Sequence, residues 1–203
     1  MNEGASRERA PRLSVALASI SPRRRKLLES LGLTVVVVAS GYDEDEHAER
    51  YPDPKDMVLA HALGKAAEAH ASGPPLLVAA DTAVVIEGQV LGKPRDASEA
   101  AAMLRRLSGN RHVVHTGFAL LDRASGRSTS GVESTAVTFM ELDEAQIARY
   151  VATGEPLDKA GAYGIQGRGA LLVASIDGDF YTVMGLPLAR LGRAFASLGH
   201  ELL

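Results

Sequence analysis

Three short apolar runs, each followed by a polar segment, constrain the fold of this chain more than any other feature. They occupy residues 13–19, 34–39 and 76–80, and their apolar and β-branched side chains are typical of buried strands. Helical spacing follows the first run from Pro22 up to Gly32, and a second helix is predicted over residues 55–72. Alternation of strands and helices favours an α/β fold whose first strands are parallel.

The second half of the chain predicts antiparallel pairing. The third strand is expected to end at Asp81-Thr82, and Glu87-Gly88-Gln89 is typical of a hairpin turn. The later predicted elements are a helix from Asp96 or Ser98 to Gly109, β segments at 112–121 and 127–140, a short helix at 143–153, an irregular glycine-rich segment at 154–169, a hairpin at 171–183 turning at Asp177-Gly178, and a last helix opened by Pro187. These elements predict one α/β domain over residues 13–203, a mixed twisted sheet flanked by helices, with a small second lobe of helices as an open alternative. Residues 1–12 are predicted to be a flexible arm.

Composition excludes several classes of protein. The 203 residues carry 22 basic and 25 acidic side chains, a balance that does not support a surface coated in nucleic acid. No cysteine is present, so disulfides, thiolate nucleophiles and cysteine-bound zinc are excluded, and a reducing cytoplasm fits. The apolar runs fall far short of the roughly 18 residues that a membrane span needs.

Four cations stand at the junction between the first strand and its helix. Arg23, Arg24, Arg25 and Lys26 follow Ser21-Pro22, where free backbone N–H groups and the positive end of the helix dipole attract anions. This pattern indicates a phosphate site. The alternative is a well-capped helix whose charges are solvated, since serine suits the cap and proline the first helical position.

Carboxylates follow the second and third strands. Residues 41–54 form a strongly acidic loop that includes Glu44, and Asp81 directly follows an apolar strand. Because the loops after parallel strands can meet at one sheet edge, we expect Arg23, Glu44 and Asp81 in a single crevice, where carboxylates and substrate phosphate suit Mg²⁺. A solvated acidic surface and a turn-capping aspartate are the alternatives. Lys65 and Lys93 are candidate phosphate partners, or simply solubilising side chains.

A polar, glycine-dense stretch at residues 157–169 is long enough to suggest a functional loop. Tyr163, Ile165 and Gln166 offer a ring, an apolar wall and an amide that both donates and accepts, whereas the alternative is a flexible connector. The chain has no P-loop motif, no G-x-S-x-G elbow and no H-E-x-x-H zinc helix, and its six histidines show no ligand spacing.

Several segments together resemble the Maf family of nucleotide pyrophosphatases. They are LASISPRRRKLLESLGL, AADTAVVIEGQVLGKPRDASEAAAMLRRLSG, EPLDKAGAYGIQGRGALLV and DGDFYTVMGLPL, which run in order from about residue 13 to residue 188. The resemblance implies an α/β fold related to the inosine triphosphate pyrophosphatases, a cytoplasmic location, a divalent metal and frequently a homodimer. Mg²⁺ is the first expectation, with Mn²⁺ or Co²⁺ as alternatives.

The resemblance also implies roles for individual residues. Asp81 would be the catalytic proton acceptor, whereas Glu44, Lys65 and Lys93 would be polar site residues, the two lysines binding the substrate. The chemistry of a triphosphate site, rather than the resemblance, makes Glu44 and Asp81 the expected metal ligands. Three further residues would select the substrate: Arg23, Thr82 and Gln166. The acidic loop has more acids than the usual pattern, so Asp43 and Glu46 are alternatives to Glu44.

The activity that the resemblance implies is hydrolysis of dTTP and UTP, and of modified pyrimidine nucleotides as an open extension, to the monophosphate and pyrophosphate. DKAGAYGIQG resembles the dTTP and UTP branch rather than the 7-methyl-GTP branch. Such an enzyme would clear the nucleotide pool and would bind neither nucleic acid nor membrane. Two alternatives are a nucleotide-binding regulator of cell division without turnover and a nucleic-acid-binding module that uses the cluster from Arg23 to Lys26.

Overall fold

The computed structural model describes residues 13–44 and 51–203, which form a mixed sheet covered by helices. The strands are β1 (Ser14–Ala18), β2 (Thr34–Val37), β3 (Leu76–Ile86), β4 (Gln89–Leu91), β5 (Arg111–Asp122), β6 (Ser128–Phe139) and β7 (Val173–Asp177). The helices are α1 (Pro22–Ser30), α2 (Pro54–Ala67), α3 (Ala97–Leu107), α4 (Glu144–Val151), α5 (Phe180–Met184) and α6 (Leu188–Ser197). The predicted flexible arm at residues 1–12 and the alternative acid Glu46 lie outside the described residues. Among the helices just given, none is long and apolar enough to cross a membrane.

The sheet joins a parallel front half to an antiparallel second half. Its strand order is β2-β1-β3-β5-β6-β7, with β4 paired to β3. β1 runs parallel to both β2 and β3, whereas the pairs from β3 onward are antiparallel. The prediction of an α/β fold with a mixed sheet flanked by helices is therefore confirmed.

Three local predictions were wrong, each because tertiary pairing outweighed local sequence. β3 does not end at Asp81-Thr82, since β5 pairs with it from Leu76 to Val85. The predicted hairpin at 171–183 is instead β7, which pairs with β6, followed by the helix α5. Asp179 caps the start of α5, where its side chain accepts a 2.7 Å hydrogen bond from the Thr182 N–H. α2 ends five residues before residue 72 because the chain beyond it pairs with the segment after β2, where the His70 N–H donates to the Ala39 carbonyl at 2.9 Å.

Helices cover both faces of the sheet, as the alternation of side chains along the strands requires. On one face, Ala62 and Ala66 of α2 pack on small residues of β1 and β3. On the other face, Leu28 of α1 and Phe195 of α6 pack on the opposite set of strand side chains. A further apolar cluster joins α3 and α4 to the later halves of β3, β5 and β6. Two neighbouring residues of β3 therefore face different helices.

Candidate active site

Asp81 lies on β3 just beyond the point where the neighbouring strand β1 ends. The last pair between the two strands is Ala18 with Ala79, and β4 pairs with that side of β3 only from Val84 onward, so Asp81 lies in the gap between the two partners. Strand alternation directs Asp81 toward α2 and Thr82 toward α1. The Asp81 residue is only 8% exposed, which places a carboxylate in the wall of a crevice at the carboxyl end of the parallel strands.

α2 contributes two side chains that bind the two oxygens of Asp81. Lys65 Nζ donates to Oδ1 at 2.8 Å, and His61 Nδ1 lies 3.2 Å from Oδ2. The two residues are four apart, so they share one face of the helix, and both are buried. The pairing of Asp81 with Gly117 makes this possible, because a Cβ at Gly117 would lie 2.4 Å from the Val58 carbonyl oxygen of α2.

The loop after β2 brings a second carboxylate to the same lysine. Lys65 Nζ lies 2.5 Å from Glu44, whose side chain is 47% exposed. The Tyr42 ring packs against Gly64 of α2, where a Cβ would lie 2.1 Å from the ring, and this contact holds the loop on the helix. The structure therefore joins three of the predicted site residues, with Lys65 between Glu44 and Asp81.

The donors around Asp81 keep its carboxyl group ionised. Burial alone would raise the pKa of Asp81, but the hydrogen bond from His61 and the positive charges of Lys65 and Arg24 outweigh it and lower the pKa to about 2. The carboxylate is therefore ionised at any physiological pH. It can orient a water molecule or bind a cation without first losing a proton.

A divalent cation fits the side chains gathered here. Ligand atoms of Glu44, His61 and Asp81 lie within 4.8 Å of one another, and carboxylate oxygens are the ligands that Mg²⁺ prefers. The predicted pair of Glu44 and Asp81 belongs to this group, whereas Asp43 does not. His61 is not among the residues that the sequence predicts for the site, because the six histidines show no ligand spacing among themselves. Its spacing of four residues from Lys65 on a predicted helix was the available signal.

On the opposite face of β3, Thr82 binds Arg24, a cation of α1 that is not among the predicted substrate-binding residues. The Arg24 guanidinium donates to Thr82 Oγ1 at 3.0 Å, to the Gly185 carbonyl at 2.8 Å and to Ser19 Oγ at 3.1 Å. Burial lowers the pKa of Arg24, whereas the carboxylates of Asp81 and Glu44 act in the opposite direction. Arg24 is therefore the cation of the first helix that is turned toward the crevice.

Arg23 and Gln166 line a neighbouring cavity of about 280 Å³ between α1 and the glycine-rich segment. Arg23 Nη1 lies 3.8 Å from Asp158 of that segment. This arrangement puts a cation and an amide on the walls of one cavity next to the Arg24 site. The two predicted selectivity residues are thus brought together, although Arg23 makes no described contact with Asp81.

Glu155, near the start of the glycine-rich segment, binds the backbone near the end of the same segment. Its carboxylate accepts hydrogen bonds from the backbone N–H groups of Arg168 and Gly169, both at 3.1 Å, and from the Tyr150 hydroxyl at 3.0 Å. The three short 3-10 turns of this segment are Glu155–Asp158, Ala160–Ala162 and Gly167–Leu172. Gln166 precedes the last of these turns, so internal hydrogen bonds fix its backbone position.

Lys93 lies apart from the Asp81 cluster. It is exposed in the loop between β4 and α3, and it lines a different shallow cavity with Arg95 and Arg106. The Gly161 N–H donates to the Gly92 carbonyl at 3.0 Å, which ties this loop to the glycine-rich segment. A role for Lys93 in binding the substrate stays a prediction.

The four cations of α1 do not form one continuous basic face. Arg24 is turned inward as described above, and Arg25 forms an ion pair with Glu29 at 2.7 Å. A backbone of nucleic acid would need these charges pointing together into solvent. The arrangement therefore favours a compact anion held by individual side chains over a nucleic-acid surface.

Comparison with known proteins gives one consistent result. Residues 14–198 match the family model described as Maf-like protein. The chain is 51% identical over 187 residues to the dTTP/UTP pyrophosphatase of Moorella thermoacetica, which covers 91% of this chain and 95% of that protein. It is 49% identical over 183 residues to that of a Geobacillus species, with 90% and 97% covered. The corresponding protein of Pelotomaculum thermopropionicum is 47% identical over 189 residues, with 93% and 98% covered.

Proposed function

Because the chain belongs to the Maf-like protein family, we propose that it hydrolyses dTTP and UTP to the nucleoside monophosphate and pyrophosphate. One observation carries the proposal: the buried carboxylate of Asp81 binds Lys65, which also binds Glu44, and the next residue, Thr82, binds Arg24 of α1. These contacts link a candidate base and phosphate-binding cations to the helix whose Arg23 lines a cavity with Gln166. A role in clearing the nucleotide pool follows from that activity.

The cations near Asp81 would reduce the main electrostatic barrier to the reaction. A triphosphate carries several negative charges that repel an attacking water molecule, and positive groups placed near it lower that barrier. Lys65 and Arg24 border Asp81 and Thr82, and Arg23 lies on the adjoining cavity wall. They would hold the phosphates and stabilise pyrophosphate as it leaves.

Asp81 would accept the proton of the attacking water. In the free enzyme its low pKa favours the ionised form, which is ready to orient water but is a weak base. Transfer of Lys65 from Asp81 to a bound phosphate would remove one donor and leave a carboxylate oxygen open to the attacking water.

A divalent cation, with Mg²⁺ first and Mn²⁺ or Co²⁺ as alternatives, would be held by Glu44 and Asp81. When bound, it would neutralise phosphate charge and polarise the phosphoryl group. Glu44 and Asp81 now share the ammonium of Lys65, so a bound cation would free that side chain for the substrate.

Gln166 would select the base. The imide edge of thymine or uracil has an N–H beside a carbonyl, and a glutamine amide can pair with both, whereas cytosine presents a different pattern. A buried polar group left unpaired costs about 1–3 kcal/mol, or roughly 5- to 160-fold in kcat/KM. We expect kcat/KM for dTTP and UTP to exceed that for CTP and GTP by a factor in this range. Gln166→Leu should reduce the difference in kcat/KM between the two pairs of nucleotides. Equal kcat/KM values for the four nucleotides would contradict this role.

The decisive test is pyrophosphate release from that panel with Mg²⁺, comparing the wild type with Asp81→Asn. Loss of a general base predicts a fall in kcat of about 10² to 10⁴. Asp177→Asn is the matched control, because Asp177 is an exposed carboxylate paired with Arg111 away from the crevice. Wild-type turnover by Asp81→Asn would refute the role of Asp81 as base. Nucleotide binding without pyrophosphate release by the wild type would favour the regulatory alternative.

The homodimer and the cytoplasmic location stay predictions from the family resemblance. Sedimentation of the purified chain would test the first. Weak binding to an oligonucleotide at physiological salt would support the prediction that nucleic acid is not a partner.

A further inference from the structure

His61 is a buried imidazole held from three sides. Nδ1 contacts Asp81 Oδ2 at 3.2 Å, and the rings of Tyr42 and Tyr51 pack against the imidazole with centroid separations of 5.8 and 6.3 Å. The residue is 3% exposed. Both the helix that carries it and the two rings therefore restrict its rotation.

The polarity of the contact follows from its surroundings. An ionised carboxylate can only accept, so Nδ1 must carry the proton and donate it to Asp81. Nε2 is buried and has no hydrogen-bond partner in the part of the chain that the structure describes.

The two donors to Asp81 differ in how freely they can leave. Lys65 has a flexible stem, contacts two carboxylates and is a natural partner for an arriving phosphate. The short His61 side chain has no comparable reach. When Lys65 moves to the substrate, His61 is the donor that remains on the carboxylate.

We propose that His61 is a positioning residue that holds the Asp81 carboxylate in its reactive orientation while Lys65 binds the nucleotide phosphate. This inference rests on the proposed function. A base that can rotate loses alignment with its water, and misalignment lowers kcat more than substrate binding. His61 does not itself touch the substrate in this arrangement.

The test uses two substitutions of His61, one that removes the hydrogen-bond donor and one that keeps a donor. His61→Leu fills the space without a donor, and we expect kcat for dTTP to fall about 10- to 100-fold with KM little changed, as for a lost hydrogen bond to a charged group. His61→Asn places an amide N–H near the position of Nδ1, and we expect it to recover most of the lost kcat. His112→Leu is the control, since His112 is also buried but contacts Tyr163 instead of the Asp81 cluster. Its kcat should stay near the wild-type value.

Three results would contradict the inference. If His61→Leu keeps or exceeds the wild-type kcat, the contact does not position the base and the inference is wrong. The inference is also wrong if His61→Asn and His61→Leu lose kcat equally while both retain the wild-type melting temperature. If the wild type itself fails to release pyrophosphate from dTTP and UTP, the proposed function fails and this inference fails with it.

A spectroscopic measurement supplies a readout that does not depend on turnover. Long-range ¹H–¹⁵N NMR distinguishes the two neutral tautomers of an imidazole, and loss of signals in His61→Asn identifies those of His61. We expect the Nδ1–H tautomer near neutral pH. An Nε2–H tautomer would show that His61 does not donate to Asp81 and would overturn the inference even if the enzyme is fully active.

Discussion

Gly117→Ala tests whether the close approach of α2 to the sheet builds the active site. The added Cβ would lie 2.4 Å from the Val58 carbonyl oxygen, whereas ordinary contacts begin near 3.4 Å. Because the obstructing atoms belong to the backbone, no side-chain rotation relieves the clash. We expect α2 to retreat by about 1 Å from β5.

The retreat should affect both stability and turnover. Overpacking of this kind typically costs about 1–3 kcal/mol of unfolding free energy. His61 moves with the helix, so its 3.2 Å contact with Asp81 is lost, whereas the flexible stem of Lys65 can follow the carboxylate. A misplacement of about 1 Å can lower turnover roughly 100-fold. We therefore expect Gly117→Ala to lower kcat/KM for dTTP by up to about that factor.

The assay compares pyrophosphate release and urea unfolding of Gly117→Ala with those of Gly192→Ala. A Cβ at Gly192 of α6 meets no atom within 4 Å in the described chain, so this control adds the same methyl group without a clash. We expect the control to keep wild-type turnover and to match or slightly exceed wild-type stability. Wild-type kcat/KM and stability in Gly117→Ala would refute the reasoning, because the helix would then not need this approach.

Three further predictions concern the surroundings of the site. Burial lowers the pKa of His112 from 6.5 to about 4, so stability should fall by about 3 kcal/mol as the pH drops from 6.5 toward 4, where only the unfolded chain binds the proton. Urea unfolding at several pH values should show this pH-dependent part in the wild type and not in His112→Leu. Glu155→Gln mismatches the N–H groups that fasten the glycine-rich segment, so steady-state kinetics should show a higher KM for dTTP with a smaller change in kcat. The Asp96 carboxylate caps α3 by accepting a hydrogen bond from the Glu99 N–H at 2.8 Å. Asp96→Ala removes this cap and should lower the free energy of unfolding, measured by thermal unfolding, by about 1 kcal/mol.

Much of the fold could be predicted because local and tertiary preferences agree. The first strand, its capped helix and the antiparallel pair of long strands all appear where apolar periodicity places them. The end of β3 could not be predicted in this way, since its extension past Asp81 depends on pairing with β5, about 35 residues later in the chain. Likewise, the end of β7 at Asp177 follows from its pairing with β6, and Asp179 then caps a helix where a hairpin strand was predicted.

The site was partly predictable for a topological reason. Loops that follow parallel strands meet at one edge, and this rule alone brings Glu44 near Asp81. Which cation of α1 contacts Thr82 could not be predicted, because successive helix positions differ by about 100° and the packing of α1 decides which one faces β3. The contact of His61 with Asp81 depends on how closely α2 approaches the sheet. Gly117 permits this approach, but a glycine in a strand does not by itself predict it.

The charges in the crevice explain why the free site can be stable and still bind an anion. Asp81 and Lys65 are both less than 10% exposed, and a buried charge without a partner is costly, so each requires the other in the free protein. Glu44 gives Lys65 a second partner at the exposed edge of the site. In the proposed function, a nucleotide phosphate would bind Lys65 by supplying negative charge of its own, while the contact of His61 with Asp81 remains. Substrate binding would then exchange one anion for another around Lys65, and we expect ligands with several negative charges, such as a triphosphate, to compete best for this side chain.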